Sequence, residues 1–339
     1  MNDFREMEAR RRHARSSYMD VKKHYVRMMG WLPVLKRYAA SRKGGVRYFS
    51  LCAKLALDIR YFRRAGVLPY DDQEKRYPTV GFVEQEAQDY ATISETLGKT
   101  RLGIHGNLER VLLRPDECPE DSQALKQSLP YDVVNLDFTG DVIPVRDAPY
   151  SSTIRGIEKL VALQMECGAR DWHMFLTFRA CRSTANEEAT TELLEILESN
   201  LREREALAAY GDRPRPSVVR DSEYQEFLRV GFAKYLAGSA AHAGLAMTLE
   251  GSYVYPRQPV NGPPYHIVKL IVGFSPLRSL RELPDRAAEH AAYRRAVPAI
   301  LRSASVDVAG ALANVSTKRA VSADLAQLIR EVKSLGVVS

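Results

Sequence analysis

Long apolar runs are missing from this chain of 339 residues. None reaches the ~18 residues of a membrane-spanning helix, and the longest strand-like run, His266 to Phe274, is interrupted by Lys269. An apolar h-region is missing as well: Arg5, Arg10, Arg11, Arg12 and Arg15 crowd the N-terminus, which does not read as a secretory signal. No membrane association is expected. Cysteine is scarce. The four present (Cys52, Cys118, Cys167, Cys181) form no C-x-x-C pair, which argues against a zinc ribbon and fits free thiols in a reducing cytoplasm. The seven histidines show no metal-ligand spacing, so no metal is expected. Walker A, H-E-x-x-H and G-x-S-x-G are all absent. What remains, 45% hydrophobic and 27% charged, is enough to bury a large core, with room for two domains.

The charge is unevenly spread. Residues 1–70 hold 17 Lys/Arg against five Asp/Glu, a net of +12, so the rest of a chain of net +7 must sum to −5. A basic arm on a near-neutral body suits a polyanion. Tyr18, Tyr25, Trp31 and Tyr38 are interleaved with Lys22, Lys23, Arg27, Lys36 and Arg37. Aromatics beside cations suit base stacking next to phosphate contacts. The alternative is a helix whose aromatics pack on the body and whose charges face water. Arg10, Arg11, Arg12, Arg15, Lys22 and Lys23 are the candidate nucleic-acid contacts.

Three regions are expected. Residues 1–45 read as a basic helical arm with a break near Gly30-Trp31-Leu32-Pro33. Residues 46–275 alternate strands with helices. Strands are expected at 46–51, 79–83, 101–104, 131–137 and 172–178, then a helix, then strands 245–255 and 265–274 joined by a Pro-rich loop without a helix. Alternation implies right-handed crossovers and a parallel sheet, and the last pair should form an antiparallel hairpin. The fold class is therefore α/β, a Rossmann-like seven-stranded mixed sheet with a terminal antiparallel hairpin. Residues 276–339 read as a helical C-terminal extension.

The most informative stretch is 131–144. Tyr131 to Leu136 is apolar and β-branched, and runs into Asp137-Phe138-Thr139-Gly140, a carboxylate and a turn at the strand's carboxyl end. Ligands sit at that edge of open α/β sheets. A strand end closed by an ordinary Asx turn fits the same residues. Glu84 closes the second strand and Asn107 follows the third, where a helix N-cap is the commoner task.

This order of elements resembles the class I S-adenosylmethionine-dependent methyltransferases, over roughly Val46 to Phe274. Asp132 to Gly140 is similar to the D-P-F-G motif of the tRNA guanine N2-dimethyltransferases, keeping Asp137 and Gly140 and placing Phe138 where the proline stands. The resemblance implies that Asp137 accepts hydrogen bonds from the target amine and that Phe138 and Thr139 shape its pocket. It implies further that Glu84 grips the cofactor ribose, that Asn107 meets the adenine, and that the first loop, with Phe49, Ser50 and Lys54, holds the methionine end. That family's first loop carries glycines, whereas Phe49-Ser50-Leu51-Cys52-Ala53-Lys54-Leu55 has none. Side chains at Cys52, Lys54 and Leu55 would crowd a cofactor unless the turn is remodelled. Two functions follow. One is a methyltransferase acting on an amine of nucleic acid. The other is a degenerate methyltransferase-like subunit that binds nucleic acid or a protein partner in an assembly.

Overall fold

The computed structural model describes residues 20–142, 152–202, 223–259, 262–277 and 286–334, together with Ala206, Ala208 and Ala209. Arg10, Arg11, Arg12, Arg15 and Tyr18 lie outside them. Val21–Val26 forms α1, capped by Asp20, whose side chain accepts from the Lys22 amide. The chain does not break at Gly30-Trp31-Leu32-Pro33. It passes through a π turn, Arg27–Trp31, and continues as α2, Leu32–Ser41. Pro33, which has no N–H to donate, comes just after the π turn at the start of α2.

Then follow β1 (Tyr48–Leu51), α3 (Leu57–Arg64), β2 (Arg76–Glu84), α4 (Ala87–Leu97), β3 (Lys99–His105), α5 (Leu108–Leu113), α6 (Pro119–Ser128) and β4 (Val133–Asp141). The second half holds α7 (Ser152–Glu166), β5 (Trp172–Ala180), α8 (Glu187–Asn200), α9 (Tyr224–His242), β6 (Leu245–Arg257) and β7 (Tyr265–Pro276). Last come α10 (Arg286–Arg302), the two-residue β8 (Val306–Asp307), α11 (Val308–Ala311) and α12 (Val315–Ser334). Gly98 ends α4 at φ +70°, and the Asn186 side chain caps α8 by accepting from the Ala189 amide.

The sheet order is β3-β2-β1-β4-β5-β7-β6-β8. Strands β1 to β5 pair in parallel, and β7 is antiparallel to both β5 and β6. This is the expected Rossmann-like mixed sheet with a terminal antiparallel hairpin, widened by β8 on the outside of β6. One local expectation is corrected. Asp137-Phe138-Thr139-Gly140 is not a turn, because β4 runs on to Asp141. Its register against β5 shifts between Asp137, opposite Thr177, and Asp141, opposite Arg179. Three residues of β4 there face one of β5, so the strand bulges instead of ending.

Side chains of β5 alternate between two cores, as period two requires. Trp172, Met174, Leu176 and Phe178 join Leu160, Val161, Phe232 and Leu236 on one face. Phe175 joins Trp31, Leu35, Val321 and Leu328 on the other. The N-terminal helices therefore cover a sheet face. Tyr25, Trp31 and Tyr38 are buried there, and Trp31 stacks on Phe175 with centroids 5.3 Å apart. Gly30 permits the close approach, since a Cβ would meet the Tyr253 ring at 2.9 Å and Ile271 at 3.0 Å.

Two histidines pin this layer. At the amino edge, the Tyr38 hydroxyl donates to His173 Nδ1 (2.8 Å), whose Nε2 donates to Glu250 Oε1 (2.8 Å). Nearer the C-terminus, His24 Nε2 donates to Asp324 Oδ2 on α12 (2.7 Å), which also takes Arg64 Nη2 at 2.5 Å. His24 is fully buried. Burial first, and then nearby Arg27, lowers it from 6.5 to about 4 against the pull of Asp324. A histidine held neutral when folded takes up its proton more readily when unfolded. Stability is therefore complete above pH 6.5 and falls as the pH drops towards 4, by on the order of 3 kcal/mol. Denaturant melts across pH 4–7 should show this slope, and His24→Gln should flatten it.

Candidate active site

The carboxyl ends of β1, β2, β3 and β4 surround a cleft of ≈ 500 Å³, within the usual range for a small-molecule site. Glu84 ends β2 and lines the cleft. Its Oε1 accepts from the Glu86 amide at 2.8 Å, and burial raises its carboxyl above the ordinary value. Asn107 also lines the cleft, but its Oδ1 accepts from the Arg110 amide at 3.0 Å, so it serves as the N-cap of α5. Asp137, Phe138 and Gly140 supply the β4 wall. Asp141 adds a carboxylate paired with Arg179, whose Nε donates at 3.0 Å. Among the described residues, the lining carries six carboxylates (Glu84, Glu86, Asp89, Glu109, Asp137, Asp141) and one ammonium, that of Lys23.

Asp137 is the most constrained of these groups. It faces the side of the sheet covered by α1 and α2, in one cross-strand row with Thr177 of β5 and Lys269 of β7. Lys269 is completely buried. Its Nζ donates to Thr177 Oγ1 at 2.8 Å, lies 3.5 Å from Asp137 Oδ1 and sits 4.7 Å from the centre of the Trp31 ring. Lys23 reaches in from α1 and pairs with Asp137 Oδ2. Burial alone raises the Asp137 carboxyl, but Lys23 and Lys269 outweigh it and hold it well below the usual carboxylate range. Burial pulls the Lys269 ammonium down from its ordinary value, with Asp137 opposing.

The first loop is remodelled without glycine. Cys52 and Leu55 are buried. The Ala56 amide donates to the Ala53 carbonyl (2.7 Å), and Arg60 Nε donates to the Leu55 carbonyl (2.9 Å). The strain falls on Ala56, at φ 42° and ψ 42°, a left-handed conformation that costs an alanine about 1–2 kcal/mol. Behind the loop, Asp58 Oδ2 accepts from the Tyr48 hydroxyl (2.7 Å), Ser50 Oγ (2.7 Å) and Asn135 Nδ2 (2.9 Å). Burial, then the charge of Asp58, pushes the Cys52 thiol well up, so it stays protonated.

Of the expected site residues, Glu84, Asn107, Asp137 and Phe138 come together around the cleft. Phe49 is buried on the far face beside Tyr131, and Ser50 is buried on Asp58. The Lys54 ammonium lies 3.9 Å from Asp89 Oδ1 at the rim. For Thr139, only its place in β4 is described. The expected nucleic-acid contacts Lys22 and Lys23 are both engaged within the chain: Lys22 Nζ donates to the Pro256 carbonyl at 2.9 Å, and Lys23 holds Asp137.

The sequence pattern of the PP_RS20740-like family matches residues 21–264, well over half of the chain. The chain belongs to the PP_RS20740-like family. No curated protein matches it. Among solved structures it is similar to M. jannaschii TYW2 in complex with AdoMet, at 12% identity over 71% of this chain and 74% of that one, with a TM-score of 0.30. It is also similar to a candidate methyltransferase from Bacillus halodurans, at 10% identity over 72% and 98% of the chains, with a TM-score of 0.31. Likenesses this distant carry no argument about chemistry, and the fold stands on the sheet order itself.

In this PP_RS20740-like chain, sequence reasoning missed Lys269, Arg27 and Asp58. The signal for Lys269 was present, as the one charge within an apolar strand. Removing one member of a buried pair typically costs about 3–5 kcal/mol, because the other is left uncompensated. Asp137→Ala should therefore lower unfolding stability by about that amount, and Asp137→Leu combined with Lys269→Met should recover most of it. Urea titrations of the three proteins check this.

Proposed function

We propose that the chain is an S-adenosylmethionine-dependent methyltransferase acting on an amine. The observation that carries the reading is the cleft: Glu84 of β2 and Asp137 of β4, with β1 between them, line one ≈ 500 Å³ space at the carboxyl edge of a Rossmann-like sheet. The residues present fit such a cofactor. Glu84 spends one carboxylate oxygen on a backbone amide and keeps acceptor capacity for ribose hydroxyls. The acidic lining favours a cationic ligand over a neutral one. When bound, the cofactor supplies an electrophilic methyl group.

The chain's own part is positioning. Asp137, kept ionised, accepts from the N–H of the acceptor and aims the nitrogen lone pair at the methyl. Phe138, half-buried beside it, offers a ring for stacking. Orientation of this kind supplies much of the rate of a two-substrate reaction. Nucleic acid as the carrier of the amine rests on the net +12 of residues 1–70.

The degenerate-subunit reading has its own support. Asn107 is spent as an N-cap, the first loop is glycine-free and strained, and Lys23 already sits on Asp137.

Calorimetry with S-adenosylmethionine and S-adenosylhomocysteine separates the two readings. Under the first, both bind, and Glu84→Ala weakens them by about 1.5–3 kcal/mol, as loss of a charged hydrogen bond should. Absence of binding by the wild type favours the second. For the nucleic-acid part, replacing Arg10, Arg11, Arg12 and Arg15 by Glu should lower RNA or DNA affinity and flatten its salt dependence, read by fluorescence anisotropy.

A further inference from the structure

Lys23 stands where the proposed reaction needs its acceptor. Lys269, its companion on Asp137, belongs to the sheet and is completely buried. Lys23 does not belong to the sheet. It comes from α1, keeps 15% of its side chain exposed, and lines both the open cleft and a small inner chamber beneath the first loop. Among the described residues its ion partner is Asp137. That chamber also holds Arg27, a buried guanidinium whose Nε and Nη1 have no hydrogen-bond partner among the described residues.

Asp58 also lines that chamber, but its Oδ2 is taken by Tyr48, Ser50 and Asn135. Three cations therefore share Asp137, and two of them cannot leave. Arg27 and Lys269 are enclosed by the helix and the sheet, whereas Lys23 regains water by swinging outward. The like charges of Arg27 and Lys269 loosen its hold, and its departure leaves a slot with the width and charge preference of an alkylammonium. The acidic wall of Glu84, Glu86 and Asp89 draws cations towards that slot.

We propose that the Asp137 end of the cleft is an alkylammonium site held by Lys23 as an internal occupant, and that an incoming amine binds there as its ammonium by exchange with it, passing one proton to solvent in the cleft before its nitrogen has a lone pair to offer a methyl group. The purpose of the site rests on the methyltransferase reading, but its existence does not.

Truncation of Lys23 to alanine removes Cγ to Nζ, the shape of n-propylammonium. The test is thermal melting of the full chain with n-propylammonium chloride against sodium chloride at equal ionic strength. Lys23→Ala should gain roughly 2–4 °C at a probe concentration about ten times Kd. Lys23→Met, whose side chain refills the slot, should gain nothing, and Lys23→Ala combined with Asp137→Asn should lose the gain. No gain in Lys23→Ala, an equal gain in Lys23→Met, or an equal gain with guanosine as the probe overturns the proposal. Should Lys23→Ala not fold alone, recovery of its helical circular dichroism by n-propylammonium supports the proposal and failure to recover overturns it. Failure of the wild type to bind S-adenosylmethionine sinks the methyltransferase reading alone.

Discussion

A single ammonium, that of Lys269, ties the sheet to its N-terminal cover. It lies in the middle of β7 with no exposure to water, a position that an unpaired charge cannot hold. Its compensation comes from three elements: the Thr177 hydroxyl on β5, the Asp137 carboxylate on β4 and the face of Trp31 in the π turn. The last contact needs the N-terminal helix in place, and Trp31 needs Phe175 beneath it. A cation over an indole is worth up to ~2 kcal/mol when desolvated, so helix and sheet are matched by chemistry as well as by shape. The carboxylate that lines the cleft is the one that neutralises the core. Site and scaffold share an atom group and cannot be varied independently.

The sheet was legible because its signals are local. Apolar β-branched runs, helical 3-4 spacing and a hairpin loop without a helix are all read within a dozen residues. They placed β1, β2, β5, β6 and β7 within a few positions. The continuation of β4 through Asp137-Phe138-Thr139-Gly140 was not legible, because a Gly-containing polar segment reads as a turn and only the pairing with β5 reveals a bulge. The N-terminal arm allowed two readings, a stacking platform or aromatics packed on the body, and Tyr25, Trp31 and Tyr38 take the second. Only the position of the sheet shows that they face it. Glu84, Asn107 and Asp137 were found as strand-end residues, yet the partners that occupy two of them, the Arg110 amide and Lys23, depend on local cap geometry and on distant packing respectively.

The first loop shows how a glycine-free sequence meets a geometry that glycine would ease. Ala56 accepts left-handed backbone because both sides of it are fixed. The Ala53 carbonyl holds its amide, Arg60 holds the carbonyl before it, and Asp58 in the next turn is anchored by three donors from β1 and β4. Such strain persists only where surroundings over-determine it. Here the determinant is a buried carboxylate behind the loop, which makes the loop stiff rather than adaptable.

The π turn acts as a phase shifter. The Leu32 amide reaches back five residues to the Arg27 carbonyl, so the chain carries one residue more than an α-helix would between α1 and α2. Each residue of an α-helix turns the side-chain direction by ~100°. Upstream of the turn, the phase presents His24 to α12 and Lys23 to the cleft. Downstream, the reset phase presents Leu35 and Tyr38 to the sheet. One continuous rod thus serves two surfaces that no single helical stripe could reach together. A lineage that lost that one residue would keep its helix and its composition, yet it would have to choose between the cleft and the core.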